Sequence, residues 1–515
     1  MTAVSRVSRR LTQAIAPEVV EHIYEPRLGA ELQIVFPYLS ALNQAHLVML
    51  ARQGILKPET ARGIAEALLR IEAEGPSAIT PDPLLEDAYF NVEARLIALT
   101  SADVGGRLHI ARSRNDLSAA IDRLRARDVL LDLMSDVNGL RRILLDRAAL
   151  FADVVMPGHT HLQPAQPITF GFYLSGIASA LARDVGRLDD AWKRVNLSPM
   201  GAAALATTSF PIDRALVADL LGFDAVLEHG LDCVASRDFA LEITASATAL
   251  ALTLSRFAQD MHVMVSHEFS AVDFPDSVCG TSSIMPQKKN PVVIEHLKGK
   301  AAHVAAAFAS AAACVRASHF TNTLDAHREG LSMVWGGLVE TGRALALARI
   351  IAGTAEPRAD LLLARARANY STATDLADLL VRDGSFDFRT AHHVAGAVVR
   401  KLMDAGLGAH EATVALVDEA AQEVAGRPAG IDDDEVTAAL DPVRSVASRT
   451  VQGGTAPGEV RRMVEVMRQA VAQDEARVAG WRARLIEAAG RRRSATEALA
   501  AAAVTSGAAP AGPPP

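Results

Sequence analysis

A chain of 515 residues is longer than one simple core needs and implies two to four structural units or one large extended fold. Hydrophobic residues make up 50% and aromatics only 4%, so the core must be built from Ala, Leu and Val, which favours helix over sheet. A net charge of −8 argues against nucleic acid or a membrane surface as partner, and three cysteines (Cys233, Cys279, Cys314) without metal spacing argue against a disulfide framework and for a reducing, cytoplasmic compartment.

The basic N-terminus lacks an apolar core and a cleavage site, so no signal peptide is expected. Apolar runs are interrupted before about 18 residues, so no transmembrane helix is expected either. To about Gly106, Pro and Gly recur at short intervals and predict several short helices. From Asp116 to Met156 there is no proline, and Ile121, Leu124, Val129, Leu133, Val137, Leu140 and Leu144 recur at helical steps. That pattern predicts one amphipathic helix of ~40 residues, or ~60 Å. Further long helices are expected at about 168–195, 236–267, 291–317 and 331–351, then shorter ones from 364 to 489. The expected organisation is an N-terminal helical domain (1–115), a central bundle (116–363), a C-terminal helical domain (364–490) and a disordered, low-complexity tail (491–515). Helices this long leave surplus apolar surface, which points to a homo-oligomer.

Three stretches carry chemistry. Gly280-Thr281-Ser282-Ser283-Ile284-Met285-Pro286-Gln287-Lys288-Lys289-Asn290-Pro291 is a polar loop leading into a helix N-terminus, and four of the chain's seven lysines fall between 288 and 300. Ammonium groups there ask for an anionic ligand, carboxylate or phosphate; a solvated loop capped by Asn290 is the plain alternative. Arg112-Ser113-Arg114-Asn115-Asp116 opens the first long helix, where capping types surround an arginine and make either a simple cap or an anion pocket. Gly158-His159-Thr160-His161-Leu162-Gln163-Pro164 follows that helix. Its histidines lack the carboxylates or thiols of a zinc site and suit acid–base work better than metal binding.

Together these stretches resemble the fumarase/aspartase superfamily, most closely its argininosuccinate lyase branch. The loop is similar to the signature Gly-Ser-Ser-x-Met-Pro-x-Lys-x-Asn, with Thr281 for one glycine. Ser113-Arg114-Asn115-Asp116 and Thr160-His161-Leu162-Gln163 are similar to the branch's other blocks, and Glu86-Asp87 with Glu93-Ala94-Arg95-Leu96 echoes an N-terminal one. The resemblance implies an all-α, three-domain subunit whose long central helices form the core of a homotetramer, with each active site shared between three subunits. It implies reversible elimination of an amine from an N-substituted aspartate to give fumarate, without metal or organic cofactor. Ser282 would be the base, Lys288 and Asn290 would hold the developing negative carboxylate, and His161 paired with Glu295 would serve the leaving amine. Ser113, Arg114, Asn115, Thr160, Gln163, Ser283 and Met285 would bind substrate.

The departures cluster elsewhere. A family serine falls on Glu21, and Asp-Ile-His-Thr becomes Asp87-Ala88-Tyr89-Phe90. The Tyr, Gln and Lys of Tyr-Asn-x-Asp-Leu-Gln-Glu-Asp-Lys fall on Asn322, His327 and Gly330, the acidic residue after the loop is Val292, and a further tyrosine is His159. The proton-transfer set is thus intact while groups that would bind arginine are changed, and an amine other than arginine is expected. The alternatives are a genuine argininosuccinate lyase and a non-catalytic, crystallin-like structural protein.

Overall fold

The structure, a computed structural model, describes residues 10–502. The N-terminal region folds from α1 (Glu25–Arg52), α2 (Pro58–Glu74) and α3 (Ala88–Leu99). The first of these is longer than expected, because Pro37 sits inside it without ending it. With the residues before it, the run Pro17–Arg52 holds an 18-residue window of mean hydropathy 1.4, which by length and composition alone could cross a membrane. Of that window 67% is buried within the protein, as for the central helix of a packed core, with Leu32, Leu39, Leu42 and Leu47 inaccessible to solvent.

Five long helices form the central bundle: α4 (Arg114–Leu150), α5 (Phe170–Val195), α6 (Asp238–Val265), α7 (Val292–Arg316) and α8 (Leu331–Thr354). Side-chain contacts fix their directions. Arg123 near the start of α4 donates to the carbonyl of Arg194 at the end of α5, while Phe151 packs on Phe170 at the opposite end. Tyr173 then meets Asp260, Lys298 meets Gln259, and Arg349 pairs with Asp136. The helices therefore run alternately up and down. Buried Leu, Ala and Val from all five make one continuous apolar cluster.

The expected helix to Met156 stops earlier, because Val155 to Thr169 forms an antiparallel hairpin, β1 (Val155–Thr160) and β2 (Gln163–Thr169), bulged at Pro157–His159. Three prolines in these strands deny a continuing helix its amide donors. A separate apolar cluster from Leu376 to Leu440 holds the shorter C-terminal helices.

The largest correction lies at the C-terminus. A single helix of 45 residues, α9 (Pro457–Ala501), replaces the last expected short helices and runs through Arg491 to Ala501, where a disordered tail was expected. Tertiary contacts hold it. Trp481 stacks on Trp192 at 4.6 Å, Arg491 pairs with Asp219 and Arg493 with Glu72, and Ala495 and Leu499 pack on the N-terminal apolar cluster. The remainder of that expected tail, 503–515, lies outside the described residues.

Candidate active site

Each end of the bundle carries some of the expected site residues. At the lower end, Ser113 caps α4 in a reciprocal capping box with Asp116. Asp116 is fully buried and also accepts the amides of Gly201 and Ala203, at 3.1 and 2.9 Å, so it locks the 200–204 turn against the start of α4. Burial pushes its pKa up to about 6 against the pull of these amides. Arg114 is clamped by Glu86 at 3.0 Å and Asp87 at 2.9 Å, with its guanidinium over the Phe90 ring. Asn115 donates to the Ala204 carbonyl and accepts from Asn322, both at 3.0 Å. Beneath them Arg112 is buried, donating to Asn43 and to the Tyr89 hydroxyl, which lies 2.6 Å from His109 Nδ1. Ser113, Arg114 and Asn115 are thus brought together, on a rigid floor.

At the upper end, Thr160 and Gln163 pair in register across a two-residue turn, His161-Leu162, with φ of 55° and 57°. Two consecutive left-handed residues define a turn that ordinarily recruits Asn-Gly, so this one holds side chains in a strained arrangement. The turn projects His161 into solvent, and Leu162 is 79% exposed.

The serine loop lies at this end too. Gly280 and Asn290 exchange both backbone hydrogen bonds, at 2.8 and 2.9 Å, and close the loop at its base. A Cβ on Gly280 would come within 2.6 Å of Val292, so this close approach needs glycine. Asn290 Nδ2 donates to the Thr281 carbonyl. Within the loop Ser282 Oγ accepts the amides of Met285 at 3.1 Å and Ile284 at 3.4 Å, which occupies the oxygen that would act as base. Ser283, Met285 and Lys288 are exposed, and Lys289 reaches Asp273 and Asp276 at 3.2 Å. Glu295 stands exposed on the first turn of α7, and among the described residues His161 forms no hydrogen bond or ion pair with it.

Distance decides what one chain can do. Between the Arg114 end and the hairpin end lies the whole of α4, whose 37 residues span ~55 Å. Ser113, Arg114 and Asn115 therefore cannot meet His161 within a chain.

Comparison with known proteins agrees with these motifs. Residues 38–306 match the family described as lyase, and residues 370–447 match argininosuccinate lyase C-terminal. The chain is 38% identical to argininosuccinate lyase 1 of Shouchella clausii, over 91% of this chain and 94% of that one, and 41% identical to the argininosuccinate lyase of Methanosphaerula palustris, over 83% and 85%. The chain belongs to the argininosuccinate lyase branch of the fumarase/aspartase superfamily. Among solved structures, EDDS lyase in complex with formate superposes with a TM-score of 0.84 at 31% identity, covering 95% of this chain and 97% of that chain. A variant of EDDS lyase with bound fumarate superposes equally well. At 16% identity, the class II fumarase of Schistosoma mansoni shares the fold with a TM-score of 0.65. The chain is accordingly a fumarate-releasing carbon–nitrogen lyase.

Within this branch, the departures at Asn322 and His327 have found partners. Asn322 bonds Asn115 and accepts from Arg237 at 3.4 Å, and His327 lies 3.2 Å from Asp122. Sequence reasoning alone misses Asp122, Arg237 and Glu31, the last of which faces Arg328 at 3.4 Å; they lie in or beside unremarkable helical patterns and gain meaning only from packing. Asp116 offered a signal, since an Asp three residues after a capping Ser marks a capping box.

Proposed function

We propose that this lyase eliminates an amine other than arginine from an N-substituted aspartate, in a homotetramer whose sites each draw on three subunits. One chain would supply Ser113, Arg114 and Asn115, a second the hairpin with Thr160, His161 and Gln163, and a third the serine loop. The observation that carries this is the ~55 Å along α4 between motifs that must all contact one small substrate. Exposed apolar side chains on the long helices, such as Leu252, Val339 and Ile486, fit burial against other subunits. A cytoplasmic location fits three free cysteines.

The chemistry follows from the residue types. Arg114, Ser113, Asn115 and Thr160 would hold the succinyl carboxylates. Closure of the loop would free Ser282 from the amides of 284 and 285, exclude water and bring its oxygen to the carbon beside the carboxylate. Lys288, Asn290 and the loop amides would stabilise the serine alkoxide and the carbanion's carboxylate. His161, backed by Glu295, would then deliver a proton to the departing nitrogen. Ser283 and Met285 would shape the closed loop.

The altered 322–330 segment, with Phe90 and Val292, supports an amine other than arginine. The test is kcat/KM for argininosuccinate against a panel of N-alkyl and N-aminoalkyl aspartates, followed by fumarate absorbance. A value near ~10⁴ M⁻¹s⁻¹ or above for argininosuccinate would establish it as a true substrate and favour the second reading, argininosuccinate lyase itself, which the identity to curated relatives supports.

A further inference from the structure

None of the residues expected in the lyase site lines a groove of about 480 Å³ in the C-terminal region. That volume falls within the range of small-molecule sites, ~300–1,000 Å³. Three helices and a turn enclose it. Ala359–Ala368 contributes Arg367, Asp433–Leu440 contributes Asp434 and Thr437, and Pro442–Ser448 contributes Arg444. Asp441 stands at the junction of the last two helices, and His410 comes from the turn Ala409–Glu411. Its Nδ1 lies 3.4 Å from the main-chain carbonyl of Arg367, which ties the turn to the end of the first helix.

Both guanidinium groups on this groove lack partners. Among the described residues, neither the Arg367 nor the Arg444 side chain has a hydrogen bond or an ion pair. The carboxylates in the wall do not neutralise them. Asp441 caps the Pro442–Ser448 helix by accepting the Val443 amide at 3.0 Å, and although it precedes Arg444 by only three residues, no ion pair joins them. Asp434 stands exposed in the first turn of its own helix, where the dipole already favours a carboxylate. Nearby cations are matched: Arg449 with Asp375, Lys401 with Glu419 and Glu423, Arg400 with Asp404. Two unpaired planar forks on one groove suit oxyanions, each of which can take two parallel N–H donors.

The helices that carry these two arginines also seat the hairpin. Ala366, next to Arg367, and Val446, two residues beyond Arg444, share an apolar cluster with Val155 at the start of β1.

We infer that this groove binds a small anion with two or more oxyanion groups, carboxylate or phosphate, and that an anion bridging Arg367 to Arg444 clamps the two helices on which β1 rests. The inference is independent of which amine the lyase releases.

Calorimetric titration at constant ionic strength, with citrate as the polycarboxylate and fructose 1,6-bisphosphate as the bisphosphate, tests it. The wild type should bind at least one of them saturably; citrate alone identifies carboxylate as the group recognised, the bisphosphate alone identifies phosphate, and both identify their shared chemistry. Arg367→Ala and Arg444→Ala should each weaken binding ~10-fold or more, because charge-assisted hydrogen bonds are lost. Arg367→Lys, which keeps the charge without the fork, should retain part of it. Fumarate release without added anion should be unchanged in all three variants. Arg114→Leu should bind the anion as the wild type does. The bound anion should slow backbone hydrogen exchange in β1 of the wild type and not in the Arg367→Ala, Arg444→Ala double variant. Absence of saturable binding to either anion, binding unchanged in the double variant, binding lost in Arg114→Leu, or exchange in β1 unaffected by the bound anion would each overturn the inference.

Discussion

The two ends of the bundle are built on opposite principles. At the lower end each side chain from Ser113 to Asp116 has a partner: Ser113 and Asp116 cap one another, Arg114 sits between two carboxylates, and Asn115 is held from two sides. At the upper end the serine loop is tied mainly at its base, and the hairpin tip stands in solvent with strained backbone. A preorganised floor suits recognition of fixed carboxylates, because little ordering remains to be done on binding. A sparsely tethered loop suits a base that must work only when water has been excluded. On the proposed roles, binding and proton transfer fall to separate pieces of chain, and assembly of subunits would reunite them.

The largest test of that division is at Ser282. Ser282→Ala should lower kcat ~10³-fold or more while the melting temperature stays unchanged, since the side chain touches only loop amides. Near-normal turnover would take the base out of the upper end. Next comes reunion itself. Arg114→Leu and Ser282→Ala should each be nearly inactive as pure proteins. Unfolded together and refolded as mixed oligomers, they should regain measurable activity, because some sites then receive an intact floor from one chain and an intact loop from another. No recovery in verified mixed oligomers would show that one chain supplies both parts.

Much of this was open to reading in the sequence, for identifiable reasons. The bundle helices announce themselves through apolar residues at helical steps, and Pro199, Pro291 and Gly158 punctuate them. The three motifs are local, so they survive in one dimension. The β1–β2 hairpin was hidden because Pro157, Pro164 and Pro167 read as a turn, although prolines tolerate strand edges. The end of α9 was hidden because RRRSATEALAAAA looks low in complexity, whereas its order comes from Asp219, Glu72 and the N-terminal apolar cluster, all more than 250 residues away. The His327–Asp122 and Arg328–Glu31 contacts were invisible for the same reason: each joins residues some 200 or more positions apart.

A smaller effect tests the rigidity of the lower end. Asp116 has a folded pKa of about 6, above the value near 4 of an unfolded aspartate. It therefore holds its proton more tightly when folded, unfolding releases that proton, and stability falls as pH rises from about 4 to about 6. The contribution is on the order of 2–3 kcal/mol. Asp116→Asn cannot titrate, so its denaturation midpoint should lack this component of the slope even if its absolute stability changes. Equal slopes in the two proteins would mean that the junction between α4 and the 200–204 turn is not closed around a buried acid.

The smallest effect belongs to the other end. In the hairpin tip, Leu162 adopts φ of 57° with 79% of its surface exposed. A left-handed residue with a side chain costs about 1–2 kcal/mol, which glycine removes. Glycine also has more unfolded freedom to lose, about 0.5–1 kcal/mol. Leu162→Gly should thus raise stability by a few tenths to about 1 kcal/mol in chemical denaturation, while kcat falls modestly because His161 is less well aimed. A clear loss of stability would carry its own meaning. The described residues of one chain leave the leucine 79% exposed, so the loss would place it against a neighbouring subunit, and the strained turn would then be the feature that holds the hairpin in another chain's site.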